Sequence, residues 1–238
     1  MAVSALLDFF YPRTCEVCGK ACDRDSRHVC SDCLMRLPFL QMRGCCSVCS
    51  LPVRGYEKEF VCDECLAHPG YFDYAVQAIG FEGRARELIL DYKFNDQIHL
   101  AADFADWMEG AARSRMSVAD IDIVTEVPLT GRTMFRRGYN QSEYLARQLS
   151  RRMNRKHLRV LARTGKPQTQ SSLNAAKRAA NVAGTFKVTK PQYVRGRAVL
   201  LVDDIMTTGS TVSECAKILK EAGAKKVWVL TLARALRN

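Results

Sequence analysis

From residue 71 onward the chain switches repeatedly between short apolar runs and stretches whose apolar positions recur every three or four residues. Runs of strand length lie at residues 72–81, 121–127, 158–162, 199–202 and 227–232, the second stopped by Pro128. Helical spacing fills the intervals. Residues 84–94 put Leu88, Ile89 and Tyr92 on one face, 100–113 form a second helix, 141–153 align Leu145, Leu149 and Met153, and 212–222 close at Gly223. Strands alternating with helices predict an α/β fold with a mostly parallel sheet covered on both faces. The polar stretch 163–184, carrying Arg163, Lys166, Lys177 and Arg178, is too long for an idle connection and predicts either a functional loop or disorder.

Before residue 71 the pattern is different. Ten of the eleven cysteines fall between Cys15 and Cys65, and the next is Cys215. With turn residues His68-Pro69-Gly70 following, this predicts a boundary between a small domain, residues 1–70, and a larger one, residues 71–238. Eight cysteines form four CxxC pairs: Cys15 and Cys18, Cys30 and Cys33, Cys46 and Cys49, Cys62 and Cys65. Each pair wraps one side of a tetrahedral ion and two pairs complete a four-thiolate site, so two structural zinc ions are expected. The similar intervals within the two halves suggest consecutive ribbons, although spacing also permits the first pair to join the third and the second the fourth. Cys22 and Cys45 are surplus, and His28 beside Cys30 is a poor ligand candidate.

Charge adds a partner class. The net charge is +11, but the first 70 residues are nearly neutral, while residues 132–197 hold 17 Lys and Arg against the single acid Glu143. Such a basic stretch suits phosphates, either of a small substrate or of single-stranded DNA, and a solvated basic face is the plain alternative. No apolar run reaches membrane-spanning length, and the amino terminus has no basic region before its brief apolar stretch, which carries Asp8. A cytoplasmic protein is expected.

The chemistry concentrates at one junction. An apolar strand delivers Asp203 and Asp204 to its carboxyl end, where parallel α/β sheets place ligands. The turn Thr207-Thr208-Gly209-Ser210-Thr211 then offers hydroxyls and successive backbone N–H groups at a helix start, a cradle for a phosphate monoester. Paired carboxylates beside it suit a ribose cis-diol or a magnesium ion carried by pyrophosphate. Cys215 and His99 have no partner visible in the sequence and are read as structural. Lys93, by residue type alone, is a solvated lysine.

The whole string from Val202 to Thr211 resembles the 5-phosphoribosyl-1-pyrophosphate (PRPP) motif of type I phosphoribosyltransferases. Val127-Pro128-Leu129, Arg132, Arg136-Arg137-Gly138-Tyr139-Asn140-Gln141, Leu145-Ala146, Gln170, Leu173, Arg178, Asn181 and Phe186 extend the likeness, as does the cysteine-rich amino terminus. Together they resemble the ComF family of competence-associated proteins, with Tyr139 standing where the family pattern has Phe and Lys93, between Tyr92 and Phe94, also matching a family position. The resemblance implies a type I phosphoribosyltransferase fold behind a double zinc ribbon, and a link to DNA uptake. It further implies a pyrophosphate turn at Leu129, Thr130, Gly131 and Arg132, and a lid carrying Arg178 and Asn181. Asp203, Asp204, Arg132 and Arg178 would then be the catalytic set, acting on PRPP with magnesium and a nitrogenous base or amine. A non-catalytic module binding PRPP and single-stranded DNA, docked to uptake-machinery proteins, is the alternative. In either case the ribbons are candidates to roof the ribose site.

Overall fold

The computed structural model describes residues 13–23, 26–40, 44–52, 60–164 and 184–235. The cysteine-rich part contributes two one-turn helices, α1 (Ser31–Met35) and α2 (Asp63–Ala67). There follow β1 (Tyr74–Gly80), α3 (Gly83–Phe94), α4 (Ala101–Arg115), β2 (Ile123–Glu126), α5 (Gly131–Arg137), α6 (Gln141–Arg152), β3 (Lys156–His157), β4 (Leu161–Arg163), β5 (Phe186–Val188), β6 (Ala198–Met206), α7 (Ser210–Glu221) and β7 (Lys226–Arg234). β1, β7, β6, β2 and β3 form one parallel sheet in that order. β6 is its central strand, and every residue from Ala198 to Val202 is buried, so the continuous apolar run follows from cover on both faces.

On one face α3, α4 and α6 supply Leu88, Ile89, Tyr92, Phe104, Met108, Leu145 and Leu149 to the core. On the other, α7 contributes Val212, Cys215, Ala216 and Leu219. That second face has fewer helices, and the second cysteine group completes it: Cys46, Cys49 and Cys62 are buried in the same cluster as Val199, Leu201 and Val229. Cys15 and Cys30 of the first group pack into the opposite core. The cysteine-rich part also occupies the free edge of β1, where Leu40 N–H donates to Ala78 O at 3.0 Å and Ala75 N–H to Val48 O at 2.9 Å. Backbone groups that would otherwise template foreign strands are thereby paired.

Three expectations need correction. The strand expected at 158–162 is two pieces: β3 lies earlier and joins the sheet beside β2, while β4 leaves it to pair antiparallel with β5. The run reads as apolar because the connection after β3 and the first residue of β4 bury Val160 and Leu161 in one core, whereas β3 itself buries neither of its residues. The strand expected at 199–202 continues to Met206, because Asp203, Ile205 and Met206 stay in register with Thr231, Ala233 and Arg234. Residues 129–132, expected as a turn, lead straight into a helix, with their expected pyrophosphate role unaffected: Thr130 Oγ1 accepts from Thr133 N–H at 3.1 Å and caps α5, and Gly138 ends it at φ 76°.

Candidate functional site

Asp203 and Asp204 are neighbours near the carboxyl end of β6 and have different surroundings. Asp203 Oδ1 accepts from Ser142 Oγ at 2.8 Å and from Asp204 N–H at 2.9 Å. Asp204 Oδ2 pairs with Lys93 Nζ at 2.8 Å, both side chains being nearly buried, and its Oδ1 accepts from Ile205 N–H at 2.6 Å. Burial, then the charge of Asp204, raise the Asp203 carboxyl to about 7 against the lowering influence of Lys93 and Ser142. One acid is thus compensated by a fixed cation and the other is poised to gain a positive neighbour.

The residues that impose this arrangement were legible as a motif but not as a mechanism. Asn140 caps α6 by accepting from Ser142 N–H at 3.1 Å, and its Nδ2 donates to Val127 O at 3.1 Å, which fixes Ser142 beside Asp203. Gln141 Nε2 donates to Lys93 O at 3.0 Å, and Tyr92 Oη donates to Gln141 O at 2.8 Å. Tyr139 Oη donates to Tyr92 O, giving the hydroxyl that distinguishes it from Phe a partner. Lys93 is therefore not the solvated lysine its residue type suggests: α3 ends against the start of α6, and that contact turns its amine inward. Replacing Lys93 by Met leaves Asp204 buried without its partner, at an expected cost of about 3–5 kcal/mol. Thermal melting of Lys93→Met and of Lys93→Met/Asp204→Asn checks this; the double variant should recover most of the loss.

The turn after β6 has the geometry a phosphate cradle requires. Gly209 sits at φ 81° as the residue before α7, so conformation demands glycine, while a Cβ there would meet only the movable end of Met206 at 2.7 Å. Thr208 Oγ1 and Ser210 Oγ are 2.8 Å apart, with Thr207 exposed and Thr211 half-buried at the helix start. Across the sheet Arg132 is exposed on the first turn of α5, with Leu129, Thr130 and Gly131 leading into it. Arg163, which the sequence placed only in a polar stretch, lies half-buried over the Phe186 ring at 5.0 Å. Burial lowers its pKa, while the negative field of Asp203 opposes that. Gln170, Leu173, Arg178 and Asn181 lie outside the described residues.

The cysteines settle into two quartets, Cys15, Cys18, Cys30 and Cys33, and Cys46, Cys49, Cys62 and Cys65. The pairing is sequential, not crossed. A tetrahedral ion with Zn–S bonds of about 2.3 Å places its sulfurs about 3.8 Å apart. Cys18 and Cys30 Sγ are 3.8 Å apart, and Cys49 and Cys62 Sγ 3.7 Å. The two sites repeat one design: Cys15 Sγ accepts from Val17 and Cys30 N–H at 3.4 and 3.3 Å, and Cys46 Sγ from Val48 and Cys62 N–H at 3.4 and 3.3 Å. Burial raises the Cys15 and Cys46 thiols, yet these amides outweigh it and bring both down to about 7. Burial and neighbouring sulfurs push Cys49 up to about 12, so only a dication lets all four ionise. Cys45 stays outside the quartet and accepts from Arg115 Nη1 at 2.8 Å. His28 is engaged by Asp103 at 2.6 Å, and His99 finds a partner in Glu16 at 3.0 Å. Among the described residues no third group of three or more metal-binding side chains is drawn together.

Two family models match: a double zinc ribbon domain over residues 6–66 and a phosphoribosyl transferase domain over residues 139–237. DNA utilization protein YhgH of Escherichia coli is 32% identical over 220 residues, which cover 85% of this chain and 96% of that protein. The chain belongs to the ComF family. Two further relatives agree: Competence protein F of Haemophilus influenzae, 31% identical over 80% of this chain and 84% of its own, and Competence protein ComFC of Streptococcus pneumoniae, 27% identical over 88% and 89%. As a ComF protein it joins a phosphoribosyltransferase-type α/β domain to an amino-terminal double zinc ribbon. No helix among its described residues is long and apolar enough to cross a membrane.

Proposed function

We infer that this ComF protein binds PRPP at the carboxyl end of β6 and transfers the phosphoribosyl group to or from a nitrogenous base or amine, in the service of DNA uptake. The observation that carries the reading is the continuity of one segment. A carboxylate steadied by Ser142 is followed, four to eight residues later, by a glycine-opened, hydroxyl-rich turn at the start of a 12-residue helix. The 5-phosphate would take the N–H groups and hydroxyls of residues 207–211, where the helix start favours an anion. Asp203 and Asp204 would face the ribose hydroxyls.

Arg132, exposed at the start of α5, would contact the pyrophosphate, with Arg178 approaching from the loop. Magnesium bound to the pyrophosphate supplies charge neutralisation of the leaving group. Asp203 suits that ion better than Asp204, whose charge Lys93 already balances. Catalysis then rests on positioning and electrostatics, with no covalent nucleophile. Eight cysteines held as thiolate quartets for zinc call for a reducing compartment, which fits the cytoplasm.

A non-catalytic reading has an observation of its own. Phe135 is 93% exposed on α5 beside Arg136, and Arg137 stacks over the exposed Phe94 at 4.8 Å. Arginines interleaved with open aromatics suit the bases and backbone of single-stranded DNA. Incubation of pure protein with PRPP, magnesium and a panel of bases, amines and single-stranded DNA separates the two. Pyrophosphate release with one acceptor is the expected result. PRPP binding with no pyrophosphate from any acceptor would assign a sensor.

A further inference from the structure

Arg234, the last residue of β7, is 4% exposed, yet neither Nε nor Nη1 has a hydrogen-bond partner among the described residues. A guanidinium keeps its proton even when buried, so burial leaves a charge that needs an anion close by. The second cysteine quartet supplies one. Cys49 and Cys65 line the same cavity of about 410 Å³ as Arg234. Burial raises the Cys49 thiol, and the field of Arg234 is foremost among the influences that oppose it.

The two quartets share their ligand chemistry but not their surroundings. Four thiolates around a zinc ion leave a net charge of about 2−. In the first quartet Cys18 is exposed and Cys33 half-buried, so water screens that charge. Arg84, whose charge reaches Cys33, is itself exposed and engaged by Glu87. In the second quartet Cys46, Cys49 and Cys62 are buried, and all three belong to the core beneath the sheet. A dianion placed there has lost its hydration and is stable only beside compensating charge. The N–H groups of Val48 and Cys62 steady Cys46 but bring no net charge. Glu64 and Glu214 also line the cavity, yet Nε and Nη1 of Arg234 bond to neither, and Glu214 accepts from Gly184 N–H at 2.8 Å.

We propose that Arg234 is the built-in counter-cation of the second zinc centre, a positioning residue that offsets its double negative charge and fastens the ribbon to the end of β7, whereas the first centre relies on solvent. Charge compensation acts over distance and needs no hydrogen bond, which accounts for buried donors without acceptors. The dependence runs both ways. Zinc loss leaves the guanidinium buried and unbalanced at a strand end in register with Met206, so the second zinc stabilises the sheet as well as the ribbon.

Competition of the zinc-loaded full chain against a chromogenic zinc chelator reads the two zinc affinities. Cys18→Ser, which removes a ligand of the first quartet, assigns the tighter remaining zinc to the second. Arg234→Met and Arg234→Gln should each weaken the second zinc about 10- to 100-fold, the usual effect of removing a residue that supports a metal's ligands, and leave the first unchanged. Glutamine keeps a donor and loses the charge, so it separates the two roles. Arg234→Lys, which keeps the charge on a different donor set, should stay close to wild type. Wild-type zinc affinity in either neutral variant, equal weakening of both zincs, or a loss in Arg234→Lys as large as in Arg234→Met overturns the proposal. If the neutral variants do not fold even at saturating zinc, Arg234→Lys decides: zinc affinity near wild type upholds the counter-charge, and its loss assigns Arg234 to packing alone.

Discussion

Cys46→Ser is expected to abolish cooperative folding of the whole chain rather than release a detachable module. Cys46 is fully buried, and it shares its core with Phe72, Val199, Leu201 and Leu219 of the α/β part. Its sulfur accepts two backbone N–H bonds, so the serine variant loses both a thiolate ligand and the order of the knuckle around it. Structural zinc contributes about 10–16 kcal/mol in small zinc domains. A typical domain holds only about 5–15 kcal/mol in total, so weakening one site can exhaust the margin. Circular dichroism melting with elemental analysis checks this. A wild-type transition in a variant carrying one zinc would show that the sheet stands without its second ribbon. Cys18→Ser, at an exposed ligand of the first quartet, should be milder because less core is lost with it.

The second large effect is expected at Asp203. Asp203→Asn should weaken PRPP binding about 10- to 100-fold by removing a charged acceptor, while zinc stays at two per chain. The same substitution should stabilise the free protein at alkaline pH. The folded carboxyl is raised to about 7 from its ordinary value near 3.8, chiefly by burial. Between those values the folded chain holds a proton that the unfolded chain has released. The stabilisation from neutral Asp203 is thus complete below about pH 4 and is lost as pH rises through about 7. Asparagine removes that dependence. Its melting temperature should exceed that of wild type at pH 8 and match it at pH 4. Equal melting temperatures at pH 8, or undiminished PRPP affinity by calorimetry, would remove Asp203 from the role given to it.

How much of this was legible in the sequence depends on the range of the interaction. Gly209 could be read as a cradle glycine because its neighbours in sequence are also its neighbours in space. The four CxxC knuckles declared zinc for the same reason. The pairing of the knuckles was open, since spacing constrains loop length but not which loops approach; the sulfur separations decide for consecutive sites. The 158–162 run could not reveal that the sheet strand β3 ends before it, because Lys156 and His157 carry no apolar signal while Val160 and Leu161 are buried outside the main sheet.

Lys93, Ser142 and Arg234 mark the limit more sharply. By residue type each is ordinary in its own helix or strand, and even the family position that Lys93 matches did not say what it pairs with. Lys93 becomes the partner of Asp204 only when α3 ends against Tyr139 and Gln141, and Ser142 reaches Asp203 only because Asn140 turns α6 toward β6. Arg234 acquires its cavity only when the second ribbon folds over the end of β7. By itself the sequence determined the period of each element, the ligand chemistry of the cysteines and the phosphate-cradle turn, since local backbone sterics and short-range spacing dictate them. The tertiary structure alone decided which charges compensate one another and which stay open for a ligand, because electrostatic energy depends on distance and burial between residues far apart in the chain.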